Sequence, residues 1–364
     1  MKVMHIGKYL PPAKGGMENS IINICRTLSE KNGIEVVLVG TNGIGLPVEH
    51  HEKFKIKSLR TWWTLASTPI VTGLYKIIKI EKPDIIHVHL PNPWITLLLS
   101  LVKTPVIATY HCDIVSFNIL KKFYAPILKF FLNRCLKVIT TSPQLTKSSE
   151  LTLYQEKLKV ISLSVPPLSL QNENLELTQQ LRMISNNIIL FVGRLVPYKG
   201  LKFLIEAMIE IDGHLIIVGD GAIKKNLLEL VKNKNLTAKI TFSGSVSDED
   251  LPSYYNAAKV VALPSINEGE ALGICLIEAL SLGRPLVTTD LMTGVSYVNQ
   301  DKETGFVVPP MNSSALAKAI KIILQNPETW DKFSKNAKIR YGNIFDLNKI
   351  GEQYYDTYKE VLKL

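Results

Sequence analysis

Two glutamates, Glu270 and Glu278, lie on either side of Gly273 in the second half of the chain. A buried-type strand, Val260–Pro264, precedes them, and the spacing of apolar residues predicts a helix over Gly273–Leu282. The free N–H groups at the start of a helix attract anions, phosphate above all. Carboxylates accept hydrogen bonds from hydroxyl groups, so the stretch predicts a phosphate site flanked by contacts to sugar or ribose hydroxyls. On spacing alone, a surface helix with two unrelated glutamates is the simpler interpretation.

Two cations, Arg194 and Lys199, lie on the loop that follows the predicted strand Ile188–Val192. Cations on one ligand-facing loop can neutralise a diphosphate leaving group, because the planar fork of arginine matches the geometry of phosphate oxygens. The alternative interpretation is a pair of exposed surface cations.

Histidines follow or alternate along two strands of the first half. His111 comes directly after the predicted strand Val106–Tyr110, at the carboxyl end where open α/β sheets bind ligands. A single histidine can equally be a structural residue with satisfied hydrogen bonds. We interpret His87 and His89, which alternate along the preceding strand, as structural.

Two further patterns argue against other kinds of site. The acidic run SDED at 247–250 could be mistaken for a metal-binding motif, but Ser247 and Asp250 fit a helix-capping box. We therefore predict no catalytic metal. The stretch after Gly219 carries Lys224 where a dinucleotide fingerprint requires its third glycine, which counts against a nicotinamide-dependent oxidoreductase.

Short apolar strands separated by amphipathic helices position these residues in both halves of the chain. The predicted strands are Val3–Gly7, Val36–Gly40, Lys55–Leu59, Ile85–His89, Val106–Tyr110, Val138–Thr141, Val160–Ser164, Ile188–Val192, Leu215–Gly219, Ile240–Phe242, Val260–Leu263, Leu286–Thr288 and Phe306–Val308. Continuous Val/Ile/Leu strands imply parallel sheets covered on both faces. With 364 residues, the chain predicts two Rossmann-like doubly wound α/β domains, at 1–165 and 188–344, joined by a linker at 166–187.

The charge is divided unevenly along the chain. Residues 1–168 carry 21 Lys+Arg and 10 Asp+Glu, a net +11, whereas residues 169–364 carry 21 and 22, a net −1. The first half therefore predicts an anionic partner: a membrane surface, nucleic acid or an acidic substrate. A chain drawn from a generally basic proteome would show the same excess.

The basic excess includes a run with aromatic residues. The run Lys121–Lys137 and the pair Trp62-Trp63 are typical of an interfacial surface, although core packing with a solvated basic face is the alternative. No apolar run is long enough to span a bilayer. The N-terminus resembles a strand, not a signal peptide, and the four cysteines include no C-x-x-C pair. We expect a cytoplasmic protein, peripheral on the inner face of the cell membrane.

Several motifs together resemble one enzyme family. They are E-x-[FL]-G-x-x-x-x-E at 270–278 with A-x-x-x-G-x-P after it, G-R-x-x-x-x-K-G at 193–200, P-P-x-x-G-G-x-E at 11–18, G-D-G at 219–221, and the phrases IIHVHLPNP and VIATYHCDI. These resemble the retaining nucleotide-sugar glycosyltransferases of family 4, and within it bacterial enzymes that add sugars to envelope polysaccharides. The resemblance covers nearly the whole chain and is strongest in residues 188–310.

The resemblance implies a role for each matching residue. Catalytic contacts to the donor sugar are implied for His111 and Glu270, a ribose contact for Glu278, phosphate contacts for Arg194 and Lys199, a position near the diphosphate for Gly16, a backbone contact to the base around Val246, and donor-loop positions for Ala271, Leu272, Gly273 and Ile274. Two departures stand out, because the family usually has phenylalanine at Leu272 and a double glycine at Thr293-Gly294.

The function that the resemblance implies is retaining transfer of a sugar from a UDP- or GDP-sugar to a hydroxyl of a lipid-linked glycan, in bacterial surface polysaccharide synthesis. It implies the GT-B arrangement, two Rossmann-like domains facing across a cleft, with a C-terminal helix at 345–364 that packs on the first domain. Neither a cofactor nor a nucleic-acid partner is implied. The competing hypotheses are a nicotinamide-dependent oxidoreductase and a non-catalytic carbohydrate-binding relative.

Overall fold

The computed structural model describes residues 1–10, 15–42, 53–65, 68–113, 118–168 and 174–364. The chain forms two compact units: Met1–Pro166 together with Asp346–Leu364, and Pro167–Phe345. Each unit is built on a parallel sheet with helices between its strands, so the predicted fold class of two doubly wound α/β domains is confirmed.

The first unit contains a seven-stranded sheet in the order β3-β2-β1-β6-β7-β8-β9 and a separate hairpin of β4 and β5. Its strands are β1 (Lys2–Tyr9), β2 (Glu35–Thr41), β3 (Lys55–Ser58), β4 (Arg60–Leu65), β5 (Thr68–Thr72), β6 (Ile85–Leu90), β7 (Val106–Tyr110), β8 (Val138–Thr140) and β9 (Leu158–Val160). Its helices before the second unit are α1 (Gly16–Ser29), α2 (Leu74–Glu81), α3 (Pro93–Leu99) and α4 (Asn118–Arg134). Short 3₁₀ helices cover Gln144–Lys147 and Ser149–Lys157.

The second unit contains a six-stranded parallel sheet in the order β12-β11-β10-β13-β14-β15. Its strands are β10 (Ile188–Val192), β11 (His214–Val218), β12 (Ile240–Gly244), β13 (Val260–Leu263), β14 (Leu286–Thr289) and β15 (Gly305–Val308). Its helices are α5 (Leu175–Ile184), α6 (Leu201–Ala207), α7 (Lys224–Asn233), α8 (Leu251–Ala257), α9 (Ile274–Ser281), α10 (Val295–Val298), α11 (Ser313–Gln325) and α12 (Pro327–Arg340), followed by a π-helical turn at Tyr341–Phe345.

Alternation along the strands builds the core of the first unit on both faces of its sheet. Val3, Ile85 and Ile107 contribute to one apolar cluster, whereas the intervening Met4 and Ile86 contribute to the other. Successive residues of a strand point to opposite faces, so a sheet covered by helices on both sides needs apolar residues at both. The final helix, α13 (Leu347–Leu362), covers the first of these faces.

Three predicted features differ from the structure. The hairpin of β4 and β5 lies in a region for which the sequence predicts no strand. The side chains of β4 are mostly exposed, and β5 alternates buried and less buried side chains over only five residues. Strand β9 ends at Val160, where the predicted strand begins. The predicted linker at 166–187 includes α5, which packs on α8 in the second unit.

Candidate functional site

The predicted donor-binding residues of the second unit lie on loops at the carboxyl edge of its sheet. Strand β10 has β11 on one side and β13 on the other, so the strand order reverses between β10 and β13. The loop after β10 carries Arg194 and Lys199, and the loop after β13 carries Glu270. Open α/β sheets bind ligands at such a switch point, because the loops on either side diverge there.

A buried ion pair joins these two loops. Lys199 Nζ lies 2.5 Å from Glu270 Oε2, with side-chain exposures of 10% and 8%. The hydroxyl of Ser265 donates to the same carboxylate oxygen at 3.0 Å. Burial has the largest single effect and lowers the pKa of Lys199, but the Glu270 carboxylate together with Cys275 and Tyr198 outweighs it, so the pKa of the ammonium is raised and Lys199 stays charged at neutral pH. Both contacts use Oε2, and within the described residues Oε1 remains available to a ligand hydroxyl.

Close backbone approaches hold the cationic loop in place. Gly200 has φ +67°, and a Cβ there would lie 2.0 Å from the Pro264 carbonyl oxygen. A Cβ on Gly219 would lie equally close, at 2.0 Å, to the carbonyl oxygen of Gly193. These glycines are therefore required by contacts between loops. Gly219, the first glycine of the G-D-G motif, packs against the backbone of Gly193. This packing accounts for a glycine at this position without a bound dinucleotide.

The helix start at Gly273 also depends on a glycine. Gly273 has φ +79° and precedes the first residue of α9, Ile274. A Cβ at Gly273 would lie 2.9 Å from the side chains of Leu263 and Leu276, so both the backbone angle and the packing favour glycine. Leu272 is 3% exposed, so the residue at the family's phenylalanine position is a core residue here as well.

Glu278, on α9, accepts a hydrogen bond from another helix. The hydroxyl of Tyr255 on α8 donates to Glu278 Oε2 at 2.6 Å and is also 3.1 Å from the Cys275 carbonyl oxygen. Burial raises the pKa of Glu278, while the Tyr255 hydrogen bond opposes that shift. The tyrosine fixes the carboxylate in one position, as a group that binds a hydroxyl needs.

The remaining predicted donor residues lie on neighbouring loops. Arg194 is exposed, and the half-buried Val246 follows β12. Ala271 accepts a backbone hydrogen bond from Gly294 at 2.8 Å, which joins the loop after β13 to the loop after β14. Gly294 has an ordinary helical φ of −68° and Thr293 is buried, so threonine is accommodated where the family usually has glycine.

The acidic run at 247–250 has a structural role. Asp250 N–H donates to Ser247 Oγ at 3.0 Å, and the Ser247 hydroxyl donates to Asp250 Oδ2 at 2.9 Å. Asn174 also donates to the Asp250 carboxylate, at 3.2 Å. The Ser247–Asp250 pair directly precedes α8, but the N-cap position of this helix is Asp250, which forms no side-chain cap hydrogen bond. Ser247 and Asp250 therefore close the turn before the helix and do not form the predicted capping box.

The glycine predicted to lie near a diphosphate in the first unit begins a helix. Gly16 is exposed and is the first residue of α1, while residues 11–14 of the same loop lie outside the described residues. A Cβ on Gly15 would clash with the Glu18 carboxylate, so this side chain folds back over the start of α1. The start of α1, where an anion would bind, is therefore next to the Glu18 carboxylate.

His111 lies at the carboxyl end of β7 and is 3% exposed. Its Nε2 is 3.0 Å from Nδ1 of His89, and its Nδ1 has no hydrogen-bond partner among the described residues. Burial lowers the pKa of His111 to about 3, so the ring is neutral at physiological pH. A neutral ring with one free nitrogen can donate to or accept from a substrate hydroxyl.

Sequence reasoning missed three residues that complete these groups. Ser265 could have been found as a polar residue directly after a buried strand, but nothing in the sequence marks Tyr255 or Cys275. The Cys275 thiol lies close to Lys199 and to both glutamates, and burial raises its pKa to about 12. It is therefore a neutral thiol at neutral pH.

Helix α4 presents exposed aromatic side chains. Phe123 and Phe130 are 72% and 59% exposed and lie two turns apart on one face of the helix, near the exposed Lys122 and Lys129. Phe130 lines an apolar groove of about 310 Å³ between α3 and α4. Its other lining residues are Leu97, Ser100, Leu101, Pro126 and Ile127.

The hairpin of β4 and β5 adds two exposed tryptophans. Trp62 and Trp63 are 73% and 56% exposed. Core packing, the alternative for these aromatics, is therefore wrong for both tryptophans and for Phe123 and Phe130. It is right for the other apolar residues of the run, because Tyr124, Phe131 and Leu132 are buried. Among the helices that the structure describes, none is long and apolar enough to cross a membrane.

Comparison with known proteins identifies related sequences and folds. The profile of "Glycosyltransferase Family 4" matches residues 14–167, and that of "Glycosyl transferases group 1" matches residues 176–340. The O-antigen chain mannosyltransferase C of Escherichia coli is 30% identical over 371 aligned positions, which cover 100% of this chain and 99% of that protein.

Solved structures share the fold. Sucrose-phosphate synthase from Thermosynechococcus elongatus superposes with a TM-score of 0.84 at 24% identity, covering 100% of this chain and 99% of that one. HepE of Anabaena in complex with UDP-glucose gives a TM-score of 0.77 at 21% identity, covering 99% and 100%. At these identities the likeness concerns the GT-B fold.

Proposed function

The chain belongs to the family 4 glycosyltransferases, and on that premise we propose that it transfers a sugar from a nucleoside diphosphate sugar to a hydroxyl of a lipid-linked glycan. The configuration at the anomeric carbon is retained. The E. coli relative is named as an O-antigen chain mannosyltransferase, which supports bacterial surface polysaccharide as the product class. The oxidoreductase alternative is excluded by family membership.

One observation carries the donor proposal: the Lys199–Glu270 pair, Arg194 and the start of α9 lie on loops at the carboxyl edge of one sheet. Glu270 binds sugar hydroxyls through Oε1, and Glu278 binds the ribose. Arg194 and the free N–H groups of α9 stabilise the charge that develops on the departing diphosphate. This stabilisation comes from groups that are fixed before the reaction begins. The HepE complex with UDP-glucose supports a nucleotide-sugar donor for this fold.

Retention rests on the family and on the chemistry of the groups near the pair. Glu270 is already committed to Lys199 and Ser265, and Cys275 is a neutral thiol, so neither is a ready nucleophile. In the proposed reaction, the acceptor hydroxyl attacks from the face that the diphosphate leaves. The departing phosphate accepts the acceptor proton.

The first domain is proposed to dock on an anionic membrane, where a lipid-linked acceptor is available. The exposed Phe123 and Phe130 can insert at the interface while Lys122 and Lys129 contact lipid phosphates. Each cation near an anionic leaflet contributes about 1 kcal/mol, so a small group is enough for reversible binding. The protein then acts on the cytoplasmic face as a peripheral enzyme.

The donor proposal is tested by thermal-shift screening with UDP-, GDP- and ADP-sugars, followed by a transfer assay with the sugar that stabilises the protein. We expect one nucleotide class to raise the melting temperature and to support turnover. NMR of the product should show the anomeric configuration of the donor. A stabilising donor without turnover on any glycan acceptor would favour a non-catalytic carbohydrate-binding protein, and an inverted product would refute retention.

Docking is tested by co-sedimentation with neutral and anionic vesicles over a salt series. Reversing the charges of Lys122 and Lys129 should weaken binding to anionic vesicles at least tenfold, because about 2 kcal/mol of attraction is removed. The matched control reverses Lys225 and Lys232, two exposed lysines with the same spacing on α7 of the second domain. Equal binding by both variants would show that the face of α4 is only a solvated surface.

A further inference from the structure

A polar stripe crosses one face of the first domain's sheet. Residues His5, His87, His89, Thr109 and His111 all lie at odd positions, on the face that α13 covers. His5 pairs with His87 in the strand register, and His89 pairs with Thr109. All five are at most 3% exposed. Polar groups at this depth must be hydrogen-bonded, or folding becomes costly.

The stripe is connected through Tyr358 of α13. The Tyr358 hydroxyl is 2.7 Å from His87 Nδ1 and 3.0 Å from His5 Nε2. His87 Nε2 is 2.7 Å from the Thr109 hydroxyl. On the other side, His5 Nδ1 is 3.2 Å from His89 Nε2.

The last link of this hydrogen-bonded chain is His111, the predicted sugar-contacting histidine of the first domain. His89 Nδ1 is 3.0 Å from His111 Nε2. Each histidine ring nitrogen in this hydrogen-bonded chain has a partner except the last one, His111 Nδ1, which has none among the described residues. The unpaired nitrogen lies just beyond β7, at the carboxyl end of the sheet where ligands bind.

The histidines in this chain are neutral at physiological pH. Burial lowers the pKa of His5 and of His111 to about 3, and it lowers those of His87 and His89 well below the usual value. A neutral imidazole has one N–H and one lone pair. The buried Tyr358 hydroxyl has only His87 Nδ1 and His5 Nε2 as partners among the described residues, so it satisfies its O–H by donating to one of them and accepts from the other.

Neutral rings give the chain a single direction. All of its hydrogen bonds must point the same way, because a mixed arrangement would place two N–H groups or two lone pairs face to face. In one direction His111 Nδ1 carries the hydrogen, and in the other it is the acceptor. The tautomer of His111 therefore depends on the direction of all the hydrogen bonds in this linked series.

We propose that His5, His89 and Tyr358 are positioning residues that set the tautomer of His111 and aim its free Nδ1 at a substrate hydroxyl. The identity of the substrate in this inference rests on the proposed function, whereas the hydrogen bonds among these residues are observed in the structure itself. The proposal gives the C-terminal helix α13 a part in the reaction, because Tyr358 joins the hydrogen-bonded pair Thr109–His87 to the hydrogen-bonded series His5–His89–His111.

The test is Tyr358→Phe, which removes the bridging hydroxyl and keeps the ring. Tyr354→Phe is the matched control, because Tyr354 is equally buried on α13 and its ring also packs on His87, while within the described residues its hydroxyl hydrogen-bonds to this network only at Thr109, at 3.5 Å. In protein with ¹⁵N-labelled histidine, long-range ¹H–¹⁵N correlation spectra report each ring tautomer. We expect wild-type His111 to show one tautomer and the Tyr358→Phe variant to show shifts averaged between two.

Kinetics supply a second measurement. The kcat of Tyr358→Phe should fall about tenfold, the equivalent of one net hydrogen bond, with the KM for the donor unchanged. Thr109→Val, which removes the far end of the chain, should also shift the His111 resonances and keeps the test available if Tyr358→Phe fails to fold. His111 shifts that match the control in both variants would overturn the proposal. The spectra need no substrate, so absence of transferase activity in the wild type would refute the proposed function separately.

Discussion

Lys199→Met should destabilise the second domain far more than the loss of an ordinary surface lysine. The substitution keeps the length of the side chain but removes its charge, and it leaves Glu270 buried without the cation 2.5 Å away. Breaking a buried pair by removing one partner costs about 3–5 kcal/mol, because the remaining charge is desolvated and unpaired. Both side chains are at most one-tenth exposed, so solvent screens this interaction little.

The free energy by which the Lys199–Glu270 pair stabilises the second domain decreases as the pH rises through the pKa of Lys199. The pKa of Lys199 is raised in the folded protein, so its stabilisation is fully present at neutral pH and is lost only as pH rises through that raised pKa. Experiments at pH 7 therefore measure the whole effect.

The assay is urea unfolding, followed by hydrogen exchange in peptides that contain β10 and β13. The matched control is Lys321→Met, which removes an exposed pair with Glu210 at 3.2 Å in the same domain and should cost at most about 1 kcal/mol. Combining Lys199→Met with Glu270→Gln should cost less than the sum of the two single changes, by about 2 kcal/mol. The reasoning would be refuted if Lys199→Met were no less stable than Lys321→Met. It would also be refuted if the free-energy costs of Lys199→Met and Glu270→Gln simply added in the double variant.

Three further predictions concern binding, acid stability and metal. Arg194→Ala should weaken nucleoside diphosphate binding by about 1.5–3 kcal/mol in calorimetry, whereas Lys202→Ala, an exposed cation on α6, should not; equal affinities would contradict the phosphate role. Because the folded-state pKa values of His5 and His111 are about 3, stability should fall as pH drops below about 6.5, by about 2 kcal/mol per histidine at pH 5. Urea unfolding of the first domain at pH 7 and pH 5 measures this, and identical midpoints would show that the histidines are not held neutral. Turnover should survive a chelator, and restoration of lost activity by Mg²⁺ or Mn²⁺ would refute metal independence.

The sheets were predictable because a strand covered on both faces must be continuously apolar. Strands β7, β10 and β13 have their predicted bounds, and the other core strands differ by a few residues. The hairpin of β4 and β5 was missed for the same reason, since Trp62 and Trp63 are exposed and produce no buried pattern. Strand β9 shows the opposite error, because Ile161 and Leu163 are buried but lie outside the ladder.

Motif spacing placed the site residues on loops, but it could not show which side chains touch. Lys199 and Glu270 matched separate motifs and were each assigned to a different part of the donor, yet they bind each other. His87 and His89 were interpreted as structural, and that prediction omits their connection to His111 through Tyr358, which lies 271 residues from His87. Contacts between distant segments depend on how helices pack, which no local pattern records.

The ion pair changes how charge is divided at the donor site. Lys199 and Glu270 together carry no net charge, so a diphosphate gains little overall attraction from Lys199 while the pair is intact. Arg194 is exposed, and no ion pair in the described part of the chain engages it. In the reaction that we propose, Arg194 and the start of α9 therefore supply most of the neutralisation of a departing diphosphate. Lys199 acts chiefly by orienting Glu270, which assigns the two cations of one loop to different tasks.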